Sequence, residues 1–256
     1  MKLRCPPTAL CCALVLALTQ LGLGTSVLLV QTEDNSIYIG ADALQTETAT
    51  GKRSKICKVR KLSGNSYWAA ASKFYRTDAG FSLEDIVASI GSEGTIDSKM
   101  SRFIDAVSEP LKGQVALLEA ADHREYASFI VRSAARKVSP LEIAFIGFEG
   151  GKPKWALARF YVNKTQGKLA LEVKREDKGK PTDMTFAVGL GDSRSSVDYV
   201  IRDLKRFYSN ETKTMLDALD GVADLDKHKT VEGPYCVLKI DARGHHWEQP
   251  GECLID

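Results

Sequence analysis

The sequence predicts an α+β fold, because its strand-like and helix-like stretches are grouped along the chain instead of alternating. Runs rich in β-formers come first, two helical stretches follow, and further strands, two further helices and a last strand complete the order. Such grouping favours α+β layers over an alternating βαβ sheet. Residues 25–256 are interpreted as a single domain, long enough to bury a sizeable hydrophobic core.

Apolar runs bounded by turn residues predict the strands. The polar stretch 32–35 separates the first two strands, which are therefore expected to pair as a hairpin. The predicted strands span residues 25–30, 36–39, 55–62, 67–72, 141–148, 155–162, 169–173, 184–190 and 235–240. A polar tail is expected after the last strand, with Gly244 and Trp247 within it.

Apolar residues at helical spacing predict the helices. Ser82 is expected to cap the first helix, since Asp85 stands three residues further on. Either Thr95 or Asp97 is expected to cap the second helix, which has Pro110 near its end. Further helical patterns occupy part of residues 114–136, residues 193–207, and the segment around residues 215–219.

The first 24 residues have the pattern of a secretory signal peptide. Lys2 and Arg4 precede an apolar stretch, and the small residues Gly22 and Gly24 precede the expected cleavage point. Cleavage after Gly24 predicts a secreted or periplasmic protein. The alternative is a membrane-anchored domain whose leader is never cut, because residues 8–30 are apolar for long enough to span a bilayer.

Charge and cysteine content narrow the classes of partner. The chain has 35 basic and 33 acidic residues, a balance that does not indicate a nucleic-acid partner; a membrane partner is expected only if the leader stays uncleaved.

Cys57, Cys236 and Cys253 follow the leader and allow at most one internal disulfide. Export permits a Cys236–Cys253 bridge, and the alternative is three buried thiols. No Cys/His ligand spacing is present, so no metal or organic cofactor is predicted.

A cut after Gly24 would give Thr25 a free α-amine, and such a threonine carries both a nucleophile and its own general base. A free amine has a pKa of about 7.7–8.0, and a neighbouring Lys ammonium lowers that pKa. A carboxylate would hold the lysine in place. Asp42 ends the second predicted strand and Lys58 lies in the third, so both are candidates for these roles.

The segments Thr25-Ser26-Val27, Ile39-Gly40-Ala41-Asp42 and Lys58-Val59-Arg60-Lys61-Leu62 resemble the opening of a proteasome β subunit or of its simpler bacterial homologue. These proteins are N-terminal-nucleophile hydrolases, in which a Gly-Thr junction is cut to free the threonine. Thr25 and Asp42 are 17 positions apart, and Asp42 and Lys58 are 16 apart, close to the family's spacing.

The resemblance implies a four-layer αββα sandwich and a threonine-type hydrolase acting on peptide or small amide bonds, with a homo-oligomer as one form of assembly. It implies Thr25 as nucleophile and base, Lys58 as the cation that tunes its amine, and Asp42 as the partner of Lys58.

The sequence departs from the family at three places. Ser72-Lys73 replaces a Gly pair whose backbone N–H forms the oxyanion hole, which leaves the Ser72 N–H as the candidate donor. Leu190 stands where the family carries a serine, and Lys229 begins the segment that matches its late Asp-x-x-Ser-Gly, with Asp226 as a candidate substitute. Leu190 and Lys229 favour the alternative of a non-catalytic binding or scaffold protein on the same fold.

Overall fold

Two antiparallel five-stranded sheets form the centre of this protein, whose computed structural model describes residues 26–46, 53–74, 77, 80–178, 185–191, 194–225, 233–251 and 253. Six helices accompany the sheets in these ranges, so the architecture is mixed α/β. The leader 1–24, Thr25, Asp226 and Lys229 lie outside the described residues. None of the helices in the described ranges is long and apolar enough to cross a membrane.

The first sheet contains the start of the domain at its centre, in the order β10-β1-β2-β11-β12. Its strands are β1 (Ser26–Gln31), β2 (Ile37–Ala41), β10 (Phe186–Gly191), β11 (Cys236–Asp241) and β12 (Gly244–Gln249). The predicted hairpin is confirmed, because β1 and β2 pair antiparallel with Val27 opposite Ala41. The other neighbour of β1 is β10, with Ser26 opposite Gly191.

The expected polar tail is wrong, since this stretch forms strand β12. Asp241 ends β11 and its carboxylate accepts hydrogen bonds from the Arg243 N–H at 2.7 Å and the Gly244 N–H at 3.2 Å. These bonds close a tight turn that returns the chain along β11. The alternation of partly buried and exposed residues in β12 is weak because it is the outermost strand of the sheet.

The second sheet has the order β5-β6-β7-β8-β9. Its strands are β5 (Val59–Ser63), β6 (Ser66–Ser72), β7 (Leu141–Glu149), β8 (Lys152–Thr165) and β9 (Lys168–Lys178), and a separate two-stranded sheet pairs β3 (Leu44–Thr46) with β4 (Arg53–Lys55). The predicted strand 55–62 is therefore divided. Its first residue ends β4, and Lys58 lies in the short connection that leads into β5.

Three helices, α1 (Leu83–Ser89), α2 (Ile96–Ala121) and α3 (His123–Ala134), follow β6. The Ser82 cap is confirmed by the Asp85 N–H, which donates to Ser82 Oγ at 3.2 Å. Thr95 caps α2 in the same way. The expectation that α2 ends near Pro110 is wrong, because a continuous row of buried apolar residues carries the helix to Ala121.

The second group of helices comprises α4 (Arg194–Arg202), α5 (Leu204–Ser209) and α6 (Glu211–Leu225). The sequence predicts one helix where α4 and α5 stand. Asp203 divides them, because its side chain accepts a hydrogen bond from the Arg206 N–H at 2.9 Å and so begins a new helix.

Three hydrophobic clusters hold these elements together. Residues of β6, β7 and β8 on one face pack with α1–α3, while residues on their other face pack against β1, β2 and β11. A third cluster joins the remaining face of β1, β2 and β11 to α4–α6. Gly40 allows this close approach, since a Cβ there would lie 2.9 Å from Met215 Cε and 3.1 Å from Leu219 Cδ1.

One disulfide joins Cys57, beside Lys58, to Cys253, which follows β12. The Cys236–Cys253 pairing that the sequence left open is not formed, and the free Cys236 is buried opposite Ala41 in the first sheet. Burial raises the pKa of the Cys236 thiol to about 12, so this residue behaves as a small apolar side chain at neutral pH.

We expect loss of the disulfide to destabilise the fold. The bridge closes a loop with a sequence separation of 196, and replacing Cys57 and Cys253 together by Ser should lower the free energy of unfolding by about 2–5 kcal/mol. Urea unfolding measures the change, with Cys236→Ala as the control that keeps the bridge. Peptide mapping that links Cys236 to Cys253 would contradict the pairing.

Tyr67 gives a prediction for alkaline pH. Its fully buried hydroxyl has no hydrogen-bond partner among the described residues, and burial raises its pKa to about 12. The folded-state pKa therefore exceeds the unfolded value near 10, so this stabilising contribution is complete below pH 10 and is lost as the pH rises toward 12. Between pH 9 and pH 11, the free energy of unfolding should fall by about 1.4 kcal/mol more for the wild type than for Tyr67→Phe, as measured by urea unfolding at each pH. Parallel stability curves would contradict this.

Candidate functional site

Asp42 stands directly after β2 and bonds two groups from different parts of the chain. Its Oδ1 accepts a hydrogen bond from the Ser26 N–H at 2.7 Å, and its Oδ2 lies 2.8 Å from Lys58 Nζ. The Asp42 N–H in turn donates to the Ser26 carbonyl at 3.1 Å. Asp42 thus bonds both the N–H and the carbonyl of Ser26, the first residue of β1.

Local structure explains why these residues meet. The hairpin register places Val27 opposite Ala41, so the residue after Ala41 lies across from Ser26. Lys58 lies in the short connection that leads into β5 of the other sheet. The Ile56 N–H donates to the Ala43 carbonyl at 2.8 Å, which joins the segment before Lys58 to the segment after Asp42.

The Asp42–Lys58 pair is removed from water. The side chain of Asp42 is 0% exposed and that of Lys58 is 2% exposed. Burial lowers the pKa of Lys58, and the attraction and hydrogen bond of Asp42 oppose this effect. An unpaired buried ammonium would be costly, so Asp42 is the group that makes a charged Lys58 tolerable at this position.

Ser72, the candidate oxyanion donor, is the last residue of β6 and lies at the end of the sheet where the neighbouring strand β5 begins. The Lys73 N–H donates to the Pro140 carbonyl at 3.0 Å, which directs the Lys73 backbone toward the β7 side. Because successive residues of an antiparallel strand direct their N–H groups to opposite sides, the Ser72 N–H is directed toward the β5 side. Ser72 Oγ accepts from the Phe74 N–H at 3.0 Å and donates to the Pro140 carbonyl at 3.2 Å, which fixes this strand end.

The end of β10 forms the other flank of β1. Gly191 lies opposite Ser26, and Leu190 lies opposite Val27. Leu190 is fully buried in the cluster between the two sheets. An apolar core side chain therefore stands at the position where the resemblance to N-terminal-nucleophile hydrolases implies a serine.

The structure brings Asp42 and Lys58 together with Ser26, the residue covalently next to Thr25. Sequence reasoning missed two further polar residues, Glu142 and Arg159. The Gly191 N–H donates to Glu142 Oε2 at 3.1 Å, and Arg159 Nη2 donates to the Gly189 carbonyl at 3.1 Å. Each is a single charged residue within an apolar strand run, and that was the available signal.

No family model matches this chain, and no curated protein matches it.

We expect the buried pair to be much more sensitive to substitution than an exposed pair. Lys58→Met leaves the Asp42 carboxylate buried without its cation, which should lower the free energy of unfolding by about 3–5 kcal/mol. The double variant Asp42→Asn/Lys58→Met should lose clearly less than the sum of the single variants, because it leaves no isolated charge.

The matched control is Lys213→Met, which removes an exposed lysine that pairs with Asp217. Such a surface pair contributes about 0–1 kcal/mol. Urea unfolding at pH 7 compares the variants. Equal losses for Lys58→Met and Lys213→Met would contradict the role of the buried pair.

Proposed function

We propose that this protein is a threonine-type amide-bond hydrolase of the N-terminal-nucleophile kind, with Thr25 as its nucleophile after cleavage behind Gly24. The observation that carries the proposal is the Asp42 carboxylate, which binds both the Ser26 N–H and Lys58 Nζ in the protein interior. A carboxylate–lysine pair at the first residue after the candidate nucleophile is the arrangement that this chemistry needs.

Covalent geometry limits where the nucleophile can stand. A trans peptide bond holds consecutive Cα atoms about 3.8 Å apart, so Thr25 lies within one residue of the fixed Ser26 amide. The Lys58 ammonium, held by Asp42, is then the neighbouring cation of the freed amine. Like-charge repulsion lowers the pKa of that amine, whose ordinary value is about 7.7–8.0, and favours its neutral form near pH 7.

The reaction then follows in two stages. The neutral amine of Thr25 takes the proton of its own hydroxyl as the oxygen attacks the substrate carbonyl, and the Ser72 N–H stabilises the oxyanion. The C–N bond breaks, the leaving amine takes that proton, and an acyl ester remains on Thr25. Water, deprotonated by the amine, attacks the ester and releases the carboxylic acid and free Thr25. No metal or organic cofactor enters these steps.

The packing of the domain supports the proposal. The three hydrophobic clusters follow the order helices, second sheet, first sheet, helices, as a four-layer αββα sandwich requires. In this arrangement the candidate nucleophile immediately precedes a central strand, β1, which has β2 and β10 on its two sides.

The disulfide supports export of the domain. Bonds such as Cys57–Cys253 persist in oxidising compartments and are rare in the cytosol, which fits a secreted or periplasmic protein with a removable leader. The substrate is proposed to be a peptide or a small amide, and self-assembly into a homo-oligomer remains part of the proposal.

The second candidate is a non-catalytic binding or scaffold protein on the same fold. The specific observation in its favour is Leu190, because a fully buried leucine supplies neither a hydroxyl nor a proton at the position of the family serine. On this alternative, Asp42 and Lys58 serve only to join the two sheets.

The test combines the mature N-terminus with covalent labelling by a β-lactone, which acylates a terminal threonine. After expression of the full-length gene, we expect the intact mass of the isolated protein to correspond to a chain that begins at Thr25. We expect the lactone to modify Thr25 alone. Thr25→Ala should abolish labelling without loss of folding, because it removes the nucleophile and leaves Asp42 and Lys58 in place. Thr165→Ala, at the exposed end of β8, is the matched control and should be labelled as the wild type is.

The outcomes separate the candidates. A mature chain that begins at Thr25 but resists the lactone supports the binding protein. An intact leader in the membrane fraction supports the anchored form and excludes a terminal nucleophile. Labelling that survives Thr25→Ala would exclude Thr25 as the reacting residue.

A further inference from the structure

A second buried polar group joins the two sheets near β1. Glu142 on β7 and Arg159 on β8 are cross-strand partners, with Arg159 Nε 3.4 Å from Glu142 Oε2. Arg159 Nη1 also lies 2.6 Å from Oε1 of Glu176 on β9. Their side chains are mostly buried, at 12% exposed for Glu142 and 17% for Arg159. We call Glu142 and Arg159 the β10 clamp.

The β10 clamp holds backbone of the other sheet. Glu142 Oε2 accepts from the Gly191 N–H, and Arg159 Nη2 donates to the Gly189 carbonyl, each at 3.1 Å. The two bonds have opposite polarity, so together they fix both the position and the direction of the last three residues of β10. Arg159 also supplies the positive charge that makes a nearly buried Glu142 carboxylate tolerable.

The segment that the clamp holds stands beside the proposed nucleophile. Gly191 lies opposite Ser26 and has a φ of +68°, a left-handed conformation that favours glycine. Strand β10 ends at this residue. The conformation of β10 opposite Ser26 therefore depends on the Gly191 N–H and its carboxylate acceptor.

We propose that Glu142 and Arg159 are positioning residues of the Thr25 site, which fix the Gly189–Gly191 segment as the wall beside the nucleophile. This inference rests on the proposed function. A bond from the second sheet to that wall couples the packing of the two sheets to the geometry in which a substrate carbonyl meets Thr25. A displacement of about 1 Å in such a wall can lower a reaction rate by up to about a hundredfold.

The experiment measures lactone labelling of Thr25 in variants of the clamp. Glu142→Ala removes the acceptor of the Gly191 N–H, and the maximal labelling rate should fall by about tenfold to a hundredfold with a smaller change in lactone affinity. Glu142→Gln keeps an acceptor oxygen and should restore the rate to within a few-fold. Glu172→Gln, which removes the charge of an exposed β9 carboxylate that pairs with Arg136, is the matched control and should leave the rate unchanged.

A readout that does not depend on labelling accompanies each variant. Hydrogen exchange of the Gly191 amide should become at least about tenfold faster in Glu142→Ala and remain slow in Glu142→Gln and in the control Glu172→Gln. The thermal midpoint of each variant shows whether the fold as a whole has changed. A purely structural role would lower the midpoint and leave the labelling rate of the folded protein unaltered.

The failures of the two proposals are distinguishable. Labelling of the wild type at Thr25 that is unchanged by Glu142→Ala would overturn the positioning role and leave the proposed function standing. A wild type that begins at Thr25 and resists the lactone would overturn both, since no reaction remains to be positioned, even if Gly191 exchange shows that the clamp holds β10.

Discussion

The centre of the structure depends on the two bonds made by the Asp42 carboxylate. One oxygen binds the Ser26 amide in the first sheet and the other binds Lys58, which leads into the second sheet. Apolar packing between the sheets is non-directional and can tolerate a small slide. A buried charged hydrogen bond requires a fixed distance and angle, so Asp42 sets the registry of the two sheets at this end.

Burying Asp42 and Lys58 costs free energy, so a gain in stability does not by itself explain why the pair is present. Two buried ions lose their hydration, and apolar side chains of similar volume often stabilise a core at least as well. Burial already lowers the pKa of Lys58, and Asp42 counteracts that effect. In the proposed hydrolase, this pair would supply a fixed positive charge, away from water, for chemistry on the amine of Thr25.

Three cross-links converge near the start of β1. Asp42 holds Ser26, the β10 clamp holds Gly191 opposite Ser26, and the disulfide of Cys57 adjoins Lys58. Each joins segments that are distant in the sequence, and each is directional or covalent. The surrounding apolar clusters supply most of the burial, while these links determine the relative positions of the few groups that the proposed reaction uses.

The sequence by itself determined the features that depend on neighbouring residues. Apolar spacing and turn residues predicted the β1–β2 hairpin. The Ser82 cap was predicted because Asp85 follows three residues after the Ser82 hydroxyl. The juxtaposition of Asp42 with residue 26 also follows from the hairpin, because antiparallel register fixes which residues face one another. The candidate pair Asp42 and Lys58 was accessible from spacing together with the family resemblance.

Only the tertiary structure decided the remainder. Local propensity placed the end of a helix near Pro110, but a buried apolar row extends α2 to Ala121. The partner of Cys253 and the contacts of Glu142 with Gly191 arise where the two sheets meet, and no local pattern encodes which residues are opposed across that interface. The physical reason is that secondary structure follows short-range sterics and hydrogen bonding, whereas contacts between sheets are selected by the packing of the whole core.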